Sequence, residues 1–358
     1  MSELRLPKFF EAAIKFEASD IIIKPLIPVK LRIRGSLKNV ETKAFEIDEF
    51  NNEIKAMLTD KQWNEFQEQG SVDLAYDFDD DNRFRLNIFK TRGRSAIAAR
   101  RVNNVIMEME DLHLPSDMRK IAEAHEGLVM LCGVTGSGKS TTIASMLQHI
   151  NRTRACHIVT LEDPIEYMFK DDKAVINQRE IGVDCPNFDQ GLRALVRENP
   201  DVVLVGEMRD RETFQAALQA AETGHLVFGT IHASSCAQTF TRLYDLFRPE
   251  ERENIRTMLS HTLNAIVYQR LLKTQLDNVP RVPGLELMLN TPIVKKYILE
   301  GREGELGEVI KASENEGMID YHNWLVSLVE KEYIHPRVAL DASRNPDELR
   351  MRLRGMGG

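Results

Sequence analysis

One eight-residue stretch, from Gly133 to Ser140, constrains the fold of this 358-residue chain more than any other feature. It reads Gly-Val-Thr-Gly-Ser-Gly-Lys-Ser and fits the pattern Gly-x4-Gly-Lys-Ser/Thr. The pattern is typical of a phosphate-binding loop (P-loop) when it joins an apolar strand to a helix. The apolar run Leu128 to Cys132 precedes it, and the helical stretch Thr141 to Ile150 follows it. The sequence therefore predicts an ATP-binding α/β domain.

The residues of the motif have different expected roles. Its glycines let the loop point backbone N–H groups inward, and the helix N-terminus adds partial positive charge. Lys139 is predicted to reach the β and γ phosphates, and Ser140 to be a ligand of Mg²⁺. The other predicted nucleotide-binding residues of this stretch are Gly133, Thr135, Gly136, Ser137, Gly138 and Thr141. A glycine-rich turn without nucleotide is the structural alternative, which the context of the motif disfavours.

Beyond the motif, short apolar runs alternate with amphipathic stretches. The runs are His157 to Leu161, Val202 to Val205 and Leu226 to Ile231. Such runs between helices indicate buried parallel strands with right-handed crossovers. Glu212 to Glu222 is one predicted crossover helix, because its apolar residues fall on one face. From about Glu251 the chain is predicted to be largely helical. The positions predicted on or near its buried faces are Met258, His261, Leu263 and Ile266.

The first hundred residues have a different pattern. Period-two alternation of apolar and β-branched residues predicts strands. These strands are Ile21–Ile23, Val29–Arg34, Val72–Phe78 and Phe84–Phe89. Asn51 to Gln67 has the apolar spacing of one helix. We therefore predict a small α+β domain over residues 1–103, a charged linker over 104–115 and an ATPase domain over 116–358.

Two carboxylates follow predicted strands of the ATPase domain. Hydrolysis requires a group that orients water opposite the γ phosphate. Glu162 follows the run that begins at His157, and Glu207 follows the run that begins at Val202. Both would lie at the carboxyl edge of a parallel sheet, where the P-loop also lies. We predict that Glu207 is catalytic and organises Mg²⁺, and that Glu162 is a second catalytic carboxylate. Acidic residues also stabilise helix N-termini, which is the alternative explanation.

Two histidines bracket the run Leu226 to Ile231. His232 follows it, and there it is placed to donate a hydrogen bond to the γ phosphate and to report its loss. His225 precedes it. A structural hydrogen bond is the alternative role for either side chain.

Arginines are concentrated near the end of the first domain. They are Arg83, Arg85, Arg92, Arg94, Arg100 and Arg101. A guanidinium supplied across a subunit interface stabilises transferred phosphate charge. The alternative is an edge strand kept soluble by its charge.

Composition limits the other possibilities. A net charge of −8 argues against a dedicated nucleic-acid binder. No stretch approaches the roughly 20 apolar residues of a membrane span, and no apolar signal core follows Met1, so we expect a cytoplasmic protein. The four cysteines form no Cys-x-x-Cys pair, so a zinc module is not expected.

With these residues in place, the chain resembles the type IV pilus retraction ATPases, the PilT/PilU group of the secretion ATPase superfamily. The resemblance runs nearly end to end. Its motifs are Ala18–Ile21, Arg83–Arg85, the P-loop, an acidic box Thr160–Glu166, Asn177–Gly182, a Walker B segment Pro200–Asp210, and a histidine box formed by Glu222–His225 and Thr230–His232. The stretch Lys296–Gly301 and the tail through Asn345–Arg350 look closer to PilU, an accessory retraction ATPase.

The resemblance implies a PAS-like N-terminal domain joined to a RecA-like ATPase domain. It also implies a homo-hexamer with nucleotide between subunits and an inner-membrane pilus platform protein as partner. A paralogous retraction ATPase is a further candidate partner. The residues to which it assigns roles are Glu207 as the Walker B glutamate, Glu162 as the acidic-box carboxylate, His225 and His232 as nucleotide-state sensors, and Arg85 and Arg100 as arginines that reach the phosphates.

The implied function is ATP hydrolysis coupled to pilus retraction and hence to twitching motility. Three alternatives stay open. The first is an accessory scaffold that binds nucleotide and assists a paralogous motor. The second is an ATPase of a related type II secretion or pilus assembly machine. The third is a P-loop kinase, although no arginine-rich lid follows the P-loop.

Overall fold

The computed structural model describes residues 4–195, 197–277 and 279–355. These residues form two compact units. Unit 1 contains the chain up to Val105 together with Glu166–Met168, and unit 2 contains the rest. None of the helices in the described ranges is long and apolar enough to cross a membrane. The residues Glu166–Met168 fall within the range predicted for the ATPase domain. They join unit 1 because Tyr167 pairs with Asn103, whose carbonyl accepts the Met168 N–H at 2.8 Å.

Unit 1 is built on a six-stranded sheet in the order β3-β2-β1-β6-β5-β4, in which all neighbours are antiparallel. Its elements are α1 (Leu6–Lys15), β1 (Asp20–Ile23), β2 (Lys30–Ile33), β3 (Ser36–Asn39), α2 (Ile47–Met57), α3 (Asp60–Gln69), β4 (Ser71–Asp79), β5 (Asn82–Thr91) and β6 (Arg94–Arg101). The predicted strands are confirmed. In β5, Phe84, Leu86 and Ile88 are buried in a core that includes Phe10 of α1, while the alternate side chains point away from it.

The single helix predicted from Asn51 to Gln67 is wrong. The chain leaves the helical conformation at Leu58, which is extended, and α3 starts after Thr59. The Thr59 hydroxyl accepts the Gln62 N–H at 3.3 Å, and the Gln62 side chain accepts the Thr59 N–H at 3.0 Å. This capping box begins a second helix although the apolar spacing continues across the break.

Unit 2 is built on a seven-stranded sheet in the order β13-β12-β7-β11-β10-β8-β9, and only the β12–β13 pair is antiparallel. Its strands are β7 (Gly127–Cys132), β8 (His157–Glu162), β9 (Val175–Glu180), β10 (Val202–Val205), β11 (Leu226–Ile231), β12 (Leu263–Lys273) and β13 (Arg281–Leu289). Its helices are α4 (Asp117–Ala122), α5 (Lys139–Thr153), α6 (Phe188–Leu195), α7 (Arg211–Glu222), α8 (Cys236–Tyr244), α9 (Arg252–Thr262), α10 (Pro292–Leu299), α11 (Leu306–Ala312), α12 (Tyr321–Glu330), α13 (Pro336–Ala342) and α14 (Pro346–Leu353). Short 3-10 helices lie at Pro249–Glu251, Glu303–Glu305 and Glu314–Glu316.

The predicted buried strands and crossover helix of unit 2 are confirmed. In β7, Met130 belongs to one apolar cluster and its neighbours Val129 and Leu131 to another, so both faces of the sheet are covered. The apolar run is continuous because both faces of the strand are buried.

The prediction that the last third of the chain is largely helical is wrong for residues 263–289. There the chain forms β12 and β13, and β12 adds to the sheet beside β7. Leu263 and Ile266 are buried in β12 rather than in a helix, and His261 is exposed at the end of α9. A short apolar run that is buried on both faces has no period that separates a strand from a buried helix.

Candidate nucleotide site

The carboxyl ends of four neighbouring strands of unit 2 meet at one edge of the sheet. Because β7, β11, β10 and β8 are parallel and in register, the segments that follow them emerge together. The P-loop follows β7, His232 follows β11 and Glu207 follows β10 after one glycine, while Glu162 ends β8. The structure therefore brings Glu162, Glu207 and His232 to the edge that carries the P-loop.

The P-loop has a backbone that requires glycine at defined positions. Gly136 and Gly138 have φ values of 77° and 87°, in the left-handed region that other residues rarely adopt. A Cβ atom on Gly133 would lie 2.3 Å from the carbonyl oxygen of Gln269, and one on Gly138 would lie 2.8 Å from the Gln269 side-chain nitrogen. The loop therefore packs directly on β12 and forms a cradle that only glycine can line. Thr135 is exposed at its tip, and the Ser137 side chain is buried beneath it.

Gln269 of β12 holds the P-loop, although it was not among the site residues predicted from the sequence. Its side chain is 2% exposed. Its nitrogen donates to the Ser137 carbonyl at 2.9 Å, and its oxygen accepts from the Thr142 hydroxyl at 2.8 Å. The bridge ties the loop to the first turns of α5. A glutamine within the apolar run of β12 was the available signal, since buried amides need partners.

Lys139 begins α5, and its ammonium group lies over the P-loop. It donates to the carbonyls of Gly133 at 2.9 Å and Val134 at 3.2 Å, and the residue is buried. Ser140 and Thr141 follow it in the first turn, where both are partly exposed. The positive end of the helix and the ammonium therefore converge on the inside of the loop, which is the charge distribution that phosphate groups require.

Glu207 has a side-chain nitrogen within hydrogen-bond distance of each carboxylate oxygen. Oε1 lies 3.1 Å from Nε2 of His232, and Oε2 accepts from Arg209 at 2.6 Å. The other ring nitrogen of His232, Nδ1, lies 3.1 Å from the carbonyl oxygen of Gly133. A neutral imidazole has one N–H and can donate to only one of these two oxygens, whereas an imidazolium donates to both. His232 thus lies between the P-loop and Glu207 and contacts both.

The backbone around Glu207 is held by the neighbouring strand β11. The Thr230 hydroxyl donates to the Gly206 carbonyl at 2.6 Å, and the Met208 N–H donates to the Thr230 carbonyl at 2.9 Å. On the other side, a Cβ atom on Gly206 would lie 3.1 Å from the Leu161 carbonyl oxygen. Gly206 thus allows the chain that carries Glu207 to pass close to the acidic box.

Glu162 is a buried carboxylate, 8% exposed, at the end of β8. It accepts hydrogen bonds from the Thr160 hydroxyl at 2.6 Å and from the Gln178 amide at 3.2 Å. These donors compensate part of the cost of burying the charge and fix the orientation of the side chain.

His225 is not brought to the P-loop of its own chain. It precedes β11, and its carbonyl accepts the N–H of Gly127, the first residue of β7. Its ring Nδ1 lies 2.9 Å from the Ala220 carbonyl oxygen. The six residues of β11 at about 3.3 Å each place it roughly 20 Å from the carboxyl edge. The resemblance assigns both histidines to the nucleotide, and they lie at opposite ends of one strand, as their positions around the run Leu226 to Ile231 predicted.

Arg85 and Arg100 lie directly opposite each other on β5 and β6. Both are exposed, on the face of the unit 1 sheet that points away from its core. Within the part of the chain that the structure describes, neither guanidinium makes an ion pair or hydrogen bond with another side chain. Arg83, by contrast, pairs with Asp77 at 3.0 Å. The structure therefore brings two arginines together on one surface of unit 1.

The pKa of the Glu207 carboxyl is lowered from its ordinary value. The hydrogen bond from Arg209 is the main cause, burial opposes it, and the charges of Arg209, His232 and Lys139 add to the lowering. A carboxylate with a lowered pKa stays ionised to lower pH, so activity that needs it persists to lower pH.

Replacing Arg209 with glutamine is expected to move the acidic limb of the pH–kcat profile to higher pH. Removal of the hydrogen bond raises the pKa of Glu207 toward its ordinary value, so protonation of Glu207 inactivates the enzyme at a higher pH than in the wild type. The measurement is steady-state phosphate release across the acidic range. Arg193→Gln is the control, because Arg193 is an exposed arginine paired with Asp189 on α6. An acidic limb that stays in place in Arg209→Gln would contradict a catalytic role of the ionised Glu207.

The chain matches the family model described as type II/IV secretion system protein over residues 3–299. A twitching motility protein of Neisseria gonorrhoeae is 38% identical over 319 residues, which cover 89% of this chain and 85% of that protein. The type IV pilus ATPase PilU of Pseudomonas aeruginosa is 30% identical over 351 residues, which cover 98% of this chain and 92% of that protein. The crystal structure of the pilus retraction motor PilT with bound ADP is similar with a TM-score of 0.89 and 37% identity, covering 97% of this chain and 99% of that one.

Proposed function

Because this chain belongs to the type II/IV secretion system protein family, we propose that it is a motor ATPase that couples ATP hydrolysis to type IV pilus retraction and so to twitching motility. The resemblance to the PilT/PilU group is confirmed by relatives of that group that align over most of the chain. The observation that carries the proposal is the contact of His232 with both the Gly133 carbonyl and Glu207, which joins the phosphate-binding loop to the catalytic carboxylate.

The P-loop residues are suited to hold ATP. The glycine cradle admits phosphate oxygens close to the backbone, and Lys139 would exchange its loop carbonyls for the β and γ phosphates. Among the described residues, no three His, Cys, Asp or Glu side chains are grouped to hold a metal ion. This is consistent with Mg²⁺ held mainly by nucleotide and water, with the Ser140 hydroxyl as a protein ligand and Glu207 as an organising carboxylate. When bound, Mg²⁺ would withdraw charge from the phosphate oxygens.

The carboxylates would prepare the water for attack. Glu207 carries its negative charge at the end of β10, where it can accept a hydrogen bond from water that faces the γ phosphate. Glu162 is held at the end of the neighbouring strand and adds a second negative charge to this edge. His232 would follow a change at Glu207 and transmit it to the P-loop through the Gly133 carbonyl.

We extend the proposal to the assembly. The chain would act as a homo-hexamer in the cytoplasm, bound at the inner membrane through a pilus platform protein. Unit 1 would be a PAS-like domain and unit 2 a RecA-like domain, as the antiparallel and the mostly parallel sheet suggest. Arg85 and Arg100 of one copy would reach the nucleotide of the next, since both are exposed and adjacent.

The proposal is tested by phosphate release from the purified protein, measured across size-exclusion fractions without any added phosphate acceptor. Release confined to the hexamer fraction is the expected result, because a complete site would need arginines from a second copy. A folded hexamer that binds ATP without releasing phosphate would replace the motor with an accessory scaffold that assists a paralogous ATPase. Release that depends on an added acceptor would instead indicate a kinase.

A further inference from the structure

The position of His232 depends on a short segment without regular structure. Strand β11 ends at Ile231, and α8 begins at Cys236. Residues 232–235 between them form neither helix nor strand. His232 is the first of these four residues and directly follows β11, so the strand before it and the segment after it together set the position of its backbone.

A charged pair from the C-terminal part of unit 2 holds this segment. Arg344 donates from Nη2 to the carbonyl of Ser234 at 2.5 Å. Glu286 accepts the backbone N–H of Cys236 at 2.8 Å. The two side chains also bind each other through two parallel contacts, both of 3.2 Å. The pair therefore holds one carbonyl and one N–H group on either side of Ser235.

The surroundings of the pair restrict its movement. Glu286 lies on β13 and is 4% exposed. The guanidinium of Arg344 lies over the rings of Tyr268 and Tyr321, with its central carbon 4.8 Å and 5.2 Å from the ring centroids. A buried carboxylate needs its cation, and two aromatic faces favour one position of the guanidinium. The buried carboxylate and the two rings thus orient the guanidinium, although the Arg344 side chain is 40% exposed.

Arg344 connects distant parts of unit 2. It lies between α13 and α14, and 110 positions separate it from Ser234 in sequence. A path runs from these C-terminal helices through the contact of Arg344 with Ser234 and then along the backbone through Ala233 to His232. From His232 it reaches both Glu207 and the Gly133 carbonyl.

We propose that Arg344 is a positioning residue for ATP hydrolysis. It acts on His232 through the Ser234 carbonyl and so couples the C-terminal helices to the edge of the sheet that carries the P-loop and Glu207. The inference rests on the proposed function. Its consequence is that a shift of the C-terminal helices changes turnover without any contact to nucleotide.

Replacing Arg344 with methionine is expected to lower kcat about tenfold and to change the KM for ATP less than about twofold, because it displaces His232 and leaves the P-loop cradle in place. The kcat of Arg344→Lys should lie between those of the wild type and Arg344→Met, since one ammonium cannot reproduce the forked contacts. In a His232→Asn background, Arg344→Met should lower kcat by less than about twofold, because the imidazole through which Arg344 acts is already absent.

Arg352→Met is the matched control. Arg352 lies on α14, its side chain is 9% exposed, and it binds Asp320 at 2.8 Å, so its loss also weakens the packing of the C-terminal helices. It contacts no residue of the 232–235 segment in the described ranges. We expect its effect on kcat to be small, and the same with and without His232→Asn, because Arg344 still contacts the Ser234 carbonyl in this variant.

Hydrogen exchange separates this inference from the proposed function. Faster exchange across residues 232–236 in Arg344→Met and Arg344→Lys, but not in Arg352→Met, would show that Arg344 holds this segment, even in a protein without turnover. Unchanged exchange in this segment, or an Arg344→Met effect that simply multiplies with that of His232→Asn, would overturn the inference. A wild-type protein that releases no phosphate would instead refute the proposed motor.

Discussion

Replacing Lys139 with alanine is expected to abolish nucleotide-dependent phosphate release, with a loss of about 10³-fold or more. The ammonium lies over the P-loop at 2.9 Å and 3.2 Å from its carbonyls, so the substitution removes the positive charge that would contact the phosphates. Loss of a single preorganised donor to developing charge costs about 10²- to 10³-fold, and a full positive charge on phosphate costs more. Steady-state phosphate release and the affinity for a fluorescent ATP analogue are the measurements, and both should fall.

The fold should survive this substitution, because alanine is a good helix former at the start of α5. Circular dichroism and size-exclusion profiles should match those of the wild type. Lys120→Ala is the control, since Lys120 is an exposed lysine of unit 2 that pairs only with Asp117 among the described side chains. Normal turnover in the Lys139 variant would refute the assignment of the nucleotide site to the P-loop.

Replacing Glu207 with glutamine is expected to reduce turnover about 10²- to 10⁴-fold while nucleotide binding is retained. Glutamine keeps the size of the side chain and can still accept from His232, but it has no charge with which to polarise water. Phosphate release in a single turnover should fall, whereas the affinity for a fluorescent ATP analogue should stay near that of the wild type, because the P-loop and Lys139 are unchanged. This separation is what distinguishes loss of catalysis from loss of the site.

Glu212→Gln is the matched control for this variant. Glu212 lies in the first turn of α7, five residues after Glu207, and its exposed carboxylate is 3.8 Å from Arg211. Its substitution should leave turnover near that of the wild type. If Glu207→Gln turned over normally, Glu162 would become the candidate for orienting water, because it ends the neighbouring strand.

Most of the secondary structure could be predicted from the sequence, and the errors have physical causes. The strands β7, β8, β10 and β11 and the helix α7 were predicted because apolar runs and a one-sided apolar face are local patterns. The break between α2 and α3 was missed because a capping box acts at two residues, Thr59 and Gln62, while the apolar spacing runs on. The strand β12 was taken for helix because burial on both faces removes the period of two.

Part of the candidate site could likewise be predicted from the sequence, and part could not. Lys139, Ser140, Glu162, Glu207 and His232 could be placed at one edge because each follows or ends a strand, and parallel strands end together. His225 was grouped with His232 because the resemblance to the retraction ATPases assigns both as nucleotide-state sensors. The strand of six residues between them separates the two rings, and of the two only His232 lies at the edge that carries the P-loop.

The sequence by itself determined that this chain has a P-loop, a parallel sheet and carboxylates at its edge, because each follows from residues within a few positions of one another. Only the tertiary structure decided what holds these parts in place. Gln269 contacts Ser137 from 132 positions away, and Arg344 contacts Ser234 from 110 positions away. Such partners have no local pattern, because a hydrogen bond between distant residues depends on where the folded strands and helices bring them.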